Sequence, residues 1–318
     1  MRARHVAIIG AGNVGATTAY ALLQSGLVEK LSLIDINSAK AEGEALDLQD
    51  GVSFLHPTTV RWGDYELCRG AQVVVVTAGA NQKPGQTRLD LLEQNAAIIN
   101  QVIPAILDQT DEAILLMVTN PVDPLTYLAM EISGLPPGQV IGSGTVLDTA
   151  RLRNQLSMHC RIDPRNIHAY VIGGHGEGAV PVWSAAQIAG IKLEQYCRFC
   201  GQGCSAQDEI GRRVINTAER IIARKGATFY SIALAVVRII RSILLDENSV
   251  LTVSTLVNDF YGISGICMSL PALINRQGVN EVLPLELAPD EIASLRQTAA
   301  ILKKSQQQIS RAAALEPV

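Results

Sequence analysis

Aromatic residues are scarce, making up only 4% of this 318-residue chain. Ala, Val, Ile and Leu must therefore carry the core. Charge of one sign is lacking too. The 26 basic and 30 acidic residues leave a net charge of -4, and no Lys/Arg tract stands out, which argues against a nucleic-acid footprint. Charged residues are 18% against 48% hydrophobic, a balance that excludes intrinsic disorder. Long apolar runs are missing. The segment from Ile232 to Leu245 is broken by Arg238 and Arg241 and is too short to span a bilayer. The first residues run directly into a strand without a signal-peptide cleavage pattern, so cytosolic placement is the expectation. Cysteines number six in a long, core-rich chain, so no disulfide framework is required. Cys197, Cys200 and Cys204 are spaced as if for a metal, but no fourth Cys or His lies close. Gly201 and Gly203 would loosen any helix there. A surface segment with incidental thiols and no metal is the expectation.

What is present is an alternation of periods. His5–Ile9, Leu31–Ile36, Gln72–Ala78 and Ala113–Thr119 read as buried strands. Ala16–Ser25, Ala39–Asp47 and Asp90–Gln109 read as helices between them. Continuous apolar strands alternating with helices predict an α/β protein with a doubly wound parallel sheet in its N-terminal half. Beyond about Val140 the pattern changes. Long helices over Ser205–Lys225 and Thr228–Leu244, alternating strands over Ser249–Asn258 and Gly262–Leu270, and a terminal helix over Ala288–Ala313 predict a C-terminal α+β unit. The expected division is a Rossmann domain over 1–142 and a substrate domain over 143–318, with a large shared interface and no linker or repeat.

Gly10, Gly12 and Gly15 have the spacing of a dinucleotide-binding turn. The first glycine permits the turn, the second lets backbone approach a pyrophosphate, and the third lets helix pack on strand. The following helix offers free N–H groups to phosphate. Asp35 lies twenty positions after Gly15, where a carboxylate accepts from an adenosine ribose and repels a 2′-phosphate. Ile36 and Asn37 follow it rather than Arg, which favours NAD over NADP.

Four further segments combine polar residues with Gly and Pro: Gly79–Arg88, Thr119–Asp123, Gly142–Arg151 and Gly173–Glu177. Together with the nucleotide turn they resemble the L-lactate/malate dehydrogenase family, over essentially the whole chain, and within it the bacterial L-lactate branch. A histidine in a Gly-rich loop can project into a cleft and exchange a proton near neutral pH. The resemblance gives His175 that role and makes Asp148 the group that holds its ring. By residue type alone, Asp148 also suits the N-cap of a helix beginning at Thr149. Arg151, three residues on, shares a helix face with Asp148 and suits a two-pronged grip on a carboxylate. Arg88 would polarise the reacting carbonyl from a closing loop, and Asn120 would hydrogen-bond the same oxygen.

The resemblance implies more. Gln82 would face the group on the substrate's third carbon and Thr228 would limit the pocket's width. Both match the lactate branch, since the malate branch carries Arg at the position of Gln82. Gly174, where Glu is usual, and Gln86, also where Glu is usual, depart from that branch. A malate dehydrogenase or a broader L-2-hydroxy acid dehydrogenase is therefore the alternative to a pyruvate/L-lactate enzyme. Val14, Lys40, Tyr65, Gly79, Ala80, Val118, Asn120 and Ser143 are expected to join Gly10, Gly12, Gly15 and Asp35 around NAD. Arg153 and His168 match positions that bind fructose 1,6-bisphosphate as an allosteric effector, and a homotetramer is implied.

Overall fold

In a computed structural model of the chain, residues 3–80, 87–176, 178–200 and 206–313 are described. The chain opens with β1 (His5–Ile9), α1 (Asn13–Ser25), β2 (Lys30–Ile34), α2 (Ser38–Gly51), β3 (Thr59–Gly63) and β4 (Val73–Val76). It continues with α3 (Arg88–Leu107), β5 (Ile114–Met117), α4 (Val122–Ser133) and β6 (Val140–Gly142). These six strands lie in the order β3-β2-β1-β4-β5-β6, and every pairing among them is parallel.

Their apolar runs explain this. Side chains alternate between the faces of a strand, and here both faces are dry. Val6, Ile8, Leu31, Leu33, Val73, Val75, Ile114 and Leu116 enter one core. Ala7, Ile9, Ile34, Val74, Val76, Leu115 and Met117 enter the other. A strand that is apolar at every position has no solvent face to offer, so helices must cover both sides.

The second half comprises α5 (Val146–Cys160), β7 (Ile167–Gly173), β8 (Ala179–Ile188), β9 (Ile191–Lys192), α6 (Leu193–Cys200) and α7 (Gln207–Lys225). It ends with α8 (Tyr230–Leu244), β10 (Ser249–Val257), β11 (Ile266–Asn275), β12 (Gly278–Val282) and α9 (Pro289–Ala313). Its strands are antiparallel, and they extend the same sheet where Ser254 of β10 pairs with Gly142 of β6. Two helices tie the halves together: Val236, Ile239, Ile240 and Ile243 of α8 pack into the first core, and Ile309 of α9 enters the second.

Several expected bounds shift. The helix expected from Ala16 starts at Asn13, directly after Gly12. The strand expected from Gly262 starts at Ile266, because Tyr261, Gly262 and Gly265 all have positive φ and cannot continue an extended strand. The helix expected from Thr149 begins at Val146, so Asp148 lies within its first turn and is not its N-cap. The cysteine segment is not all surface. Cys197 sits on α6 with 4% exposure in a core with Leu152, Ile188 and Leu193. Cys204 and the side chain of Cys200 lie outside the described residues. Among the described residues no helix is long and apolar enough to cross a membrane.

Candidate active site

The predicted nucleotide residues gather where the strands end. Gly10 follows β1, Asp35 follows β2, Gly79 and Ala80 lie beyond β4, Val118 and Asn120 follow β5, and Ser143 follows β6. In open parallel sheets ligands bind outside these carboxyl ends, at the point where the strand order reverses. That point here lies between β1 and β4.

The three glycines do three different things. Gly10 has φ +103°, and a Cβ there would lie 2.7 Å from Ala78 N, so only glycine fits that turn. A Cβ on Gly15 would lie 1.8 Å from Gly10 O, which is the close packing of α1 on β1. Gly12 is different, because its Cβ would meet nothing within 4 Å. It caps α1 and leaves open space before the helix N-terminus, the shape that a pyrophosphate requires.

Asp35 is already engaged by main chain. Its Oδ2 accepts from Ala11 N at 2.6 Å and its Oδ1 from Asn37 N at 2.8 Å. The carboxylate is thus fixed beside the glycine turn, with lone pairs left for two ribose hydroxyls. Ile36 beside it is fully exposed and offers an apolar surface next to that carboxylate. Tyr65 lies close enough for the Asp35 charge to contribute to its raised pKa, after burial and Cys68. Lys40 stands exposed in the first turn of α2, whose cap is the Asn37 side chain. Val14 lies in the first turn of α1. These residues fit a dinucleotide without a 2′-phosphate.

The proton-transfer group is assembled from two elements. α5 is stitched to β7 by buried threonines: Val171 N donates to Thr149 Oγ1 at 2.9 Å, and Thr145 Oγ1 donates to Val171 O. That register fixes Asp148, on α5, relative to the turn after β7. The turn closes through Gly174 N to Gly178 O and Ala179 N to Gly176 O, each 3.0 Å. His175 lies within it, with Nδ1 2.7 Å from Asp148 Oδ2. Arg151 Nη1 donates to Asp148 Oδ1 at 3.0 Å. Asp148 is 3% exposed, Arg151 10% and His175 24%, so the acid is sealed in and the imidazole reaches the surface of the cleft.

Electrostatics follow from this geometry. Burial works against the Asp148 charge, but His175 and Arg151 outweigh it and hold the carboxyl below its usual range. Burial likewise opposes a charged His175, yet the Asp148 carboxylate beside it prevails and the imidazole pKa is raised. A histidine tuned this way holds its proton to higher pH than a free imidazole and still titrates, as a proton donor and acceptor must.

Two site residues escaped the sequence reading. Asn95 of α3 is 1% exposed. Its Oδ1 accepts from Ala80 N and its Nδ2 donates to Asn120 O, both at 2.7 Å, so it spaces the segments after β4 and β5. Its signal was available as an amide in the apolar stripe of Leu92, Ala96 and Ile99. Asp123 of α4 is 3% exposed and accepts from His175 N at 3.0 Å through Oδ2. Thr228 lies half-buried between α7 and α8. Arg153 Nε donates to Ala169 O at 3.1 Å, beside exposed His168 on β7. Gln82 and Gln86 lie outside the described residues, as does the side chain of Arg88, which opens α3.

A doubly wound sheet with this glycine turn and a sealed aspartate holding a histidine at the cleft defines an NAD-dependent oxidoreductase. Residues 4–142 match the NAD binding domain of lactate/malate dehydrogenase, and residues 145–313 match the alpha/beta C-terminal domain of lactate/malate dehydrogenase. The chain belongs to the lactate/malate dehydrogenase family. It is similar to the L-lactate dehydrogenase of Moorella thermoacetica, with 51% identity covering 96% of this chain and 97% of that one. It is 49% identical to the L-lactate dehydrogenase of Thermoanaerobacter sp. (strain X514), covering 96% and 98%. Among solved structures it is similar to the minor L-lactate dehydrogenase of Enterococcus mundtii, with TM-score 0.94 and 39% identity over 97% of this chain and 99% of that one. A lactate dehydrogenase from a Medee basin deep-sea metagenome library superposes with TM-score 0.95 and 41% identity, over 98% and 100%.

Proposed function

We propose that the chain is a cytoplasmic L-lactate dehydrogenase that reversibly reduces pyruvate to (S)-lactate, with His175 giving and taking the proton. The observation that carries the proton-transfer role is the 2.7 Å contact between His175 Nδ1 and a sealed Asp148. Holding Nδ1 leaves Nε2 to face the substrate oxygen. When bound, NADH supplies the hydride for the carbonyl carbon. Arg151 binds the substrate carboxylate through the guanidinium edge that Asp148 does not occupy. Asn120 and Arg88 hydrogen-bond the carbonyl oxygen, and that oxygen takes its proton from His175. In the reverse direction neutral His175 removes the hydroxyl proton, and Asp148 stabilises the imidazolium that forms. Gln82 and Thr228 bound the space for the methyl group.

The cofactor reading rests on Gly12. Gly12→Ala is expected to change the melting temperature of the cofactor-free protein little, since its Cβ meets no atom within 4 Å. The NADH Kd should rise about tenfold or more, ~1.4 kcal/mol, because that space is where phosphate would approach. An unchanged Kd in a fluorescence titration would remove Gly12 from the cofactor site.

Arg153 and His168 would hold an anionic effector such as fructose 1,6-bisphosphate. They flank one residue, Ala169, and Arg153 keeps donors beyond the one given to Ala169 O. In a homotetramer two such pairs can meet across a two-fold axis. Phe54 and Leu234, 87% and 64% exposed, are apolar surface that subunit contacts would cover. One assay tests the whole reading: NADH oxidation with pyruvate and with oxaloacetate, with and without the bisphosphate. Pyruvate should be the better substrate, and the bisphosphate should lower its apparent KM. A preference for oxaloacetate would overturn the lactate assignment, and superimposable pyruvate curves would overturn the effector site.

A further inference from the structure

Asp123 is a buried acid that the proton-transfer scheme above leaves unused. It stands second in α4. Its Oδ2 accepts from the main-chain N–H of His175 at 3.0 Å, while Asp148 holds the ring of the same residue at 2.7 Å. The other oxygen, Oδ1, is buried without a hydrogen-bond partner of normal geometry, and so is the hydroxyl of Ser254.

A tether for one N–H does not need a carboxylate. An amide would hold the same N–H without the cost of burying a charge. The cost here is considerable, because burial pushes the Asp123 carboxyl up, and nearby Asp148 pushes in the same direction. What offsets it is the His175 N–H, the Ser254 hydroxyl and the charge on His175. The N-terminus of α4 adds a favourable dipole. The histidine and the acid therefore stabilise each other's charged forms.

We propose that Asp123 is a second carboxylate partner of His175: it fixes the main chain of the turn while Asp148 fixes the ring, and its charge helps set the proton affinity of the imidazole. Asp123 is a positioning residue, acting through His175 without touching substrate. Among the described residues, the charged and titratable groups around the pair come from three elements. α5 supplies Asp148 and Arg151, α4 supplies Asp123 itself with Glu131 farther along, and β11 supplies Cys267, whose thiol is kept neutral by burial and by these acids. Thr298 of α9 closes the other side of the turn by donating to Gly178 O at 3.1 Å and brings no charge.

The inference rests on His175 being the proton-transfer group. Pyruvate reduction needs the protonated ring, so its rate falls as pH rises through the His175 pKa, and lactate oxidation rises through the same pKa. Removing a nearby anion lowers that pKa. The test is the pH profile of kcat/KM in both directions for wild type and Asp123→Asn, with the KM for NADH measured alongside. The amide of Asp123→Asn keeps an acceptor for the His175 N–H and loses the charge. Both limbs should move to lower pH by about one unit, with the NADH KM unchanged. A role confined to folding would lower rates without moving either limb. Should Asp123→Asn not fold, Asp123→Ser, smaller and equally neutral, takes its place. Limbs that stay at their wild-type pH in the neutral variant overturn the proposal. A wild type that lacks both limbs, together with full turnover in His175→Asn, would instead overturn the proton-transfer reading and this inference with it.

Discussion

His175→Asn is expected to lower turnover by roughly 10²–10⁴, the usual worth of a positioned general acid–base, while leaving NADH binding nearly intact. Asn is close to imidazole in size near the backbone and can still donate to Asp148, so the turn after β7 should hold its shape. What it cannot do is deliver a proton to the substrate oxygen. The loss should therefore fall on kcat as well as on kcat/KM, because proton delivery is needed only as the transition state forms. The wild-type profile supplies the sign. Although burial opposes the charge, the Asp148 carboxylate raises the His175 pKa, so pyruvate reduction should persist to higher pH than a free imidazole would allow and decline on the alkaline side of that raised pKa. The variant should show no such decline. Stopped-flow measurement of NADH binding and the chemical step separates the two effects, and near-normal turnover would remove His175 from the mechanism.

The N-terminal fold was legible because its strands are extreme. Val73–Val76 and Ile114–Met117 are apolar at every position and buried at every position, so no register leaves a wet face and only a covered parallel sheet accommodates them. The glycine turn was legible for a related reason: Gly10 and Gly15 answer steric demands that no other residue meets, and Gly12 leaves the space before α1 open. The second half was harder to read. β7 and β8 carry mixed patterns, with His168 exposed between buried neighbours and Ser184 exposed between half-buried ones, and the three-residue β6 is too short to show a period. Boundary errors came from local backbone: the positive-φ residues from Tyr261 to Gly265 delay β11. Within the site, residues whose chemistry is unusual for their surroundings stood out, as His175 did among glycines. Asn95 and Asp123 did not, because each acts on main-chain atoms brought in from another element. Asn95 reaches Asn120 O across 25 positions and Asp123 reaches His175 N across 52. A carboxylate two residues after Pro121 fits the first turn of a helix by residue type alone, until the fold places a distant N–H against it.

Arg151 offers the second large effect, and its variants separate geometry from charge. One edge of its guanidinium is taken by Asp148 Oδ1 at 3.0 Å, and the side chain is 10% exposed, so the remaining donors face a confined space. A carboxylate bound there would gain two parallel hydrogen bonds. Arg151→Leu abolishes that grip, and kcat/KM for pyruvate should fall by roughly 10²–10³, as expected when one partner of a desolvated charge pair is truncated. The substrate carboxylate is bound equally in ground and transition states, so most of the loss should appear in KM. Arg151 also lies close enough to His175 for its charge to lower the imidazole pKa, in the same direction as burial and against the larger effect of Asp148. Removing it raises that pKa, and the alkaline decline of pyruvate reduction should move to higher pH in Arg151→Leu. That is the opposite of the shift expected for Asp123→Asn. Arg151→Lys keeps a cation but not the planar fork. Its KM should therefore rise while its alkaline decline stays near the wild-type position. Steady-state kinetics over pH for the three proteins checks both statements. A pyruvate KM that is unchanged in both variants would mean that Arg151 serves Asp148 alone and that the substrate carboxylate is held elsewhere.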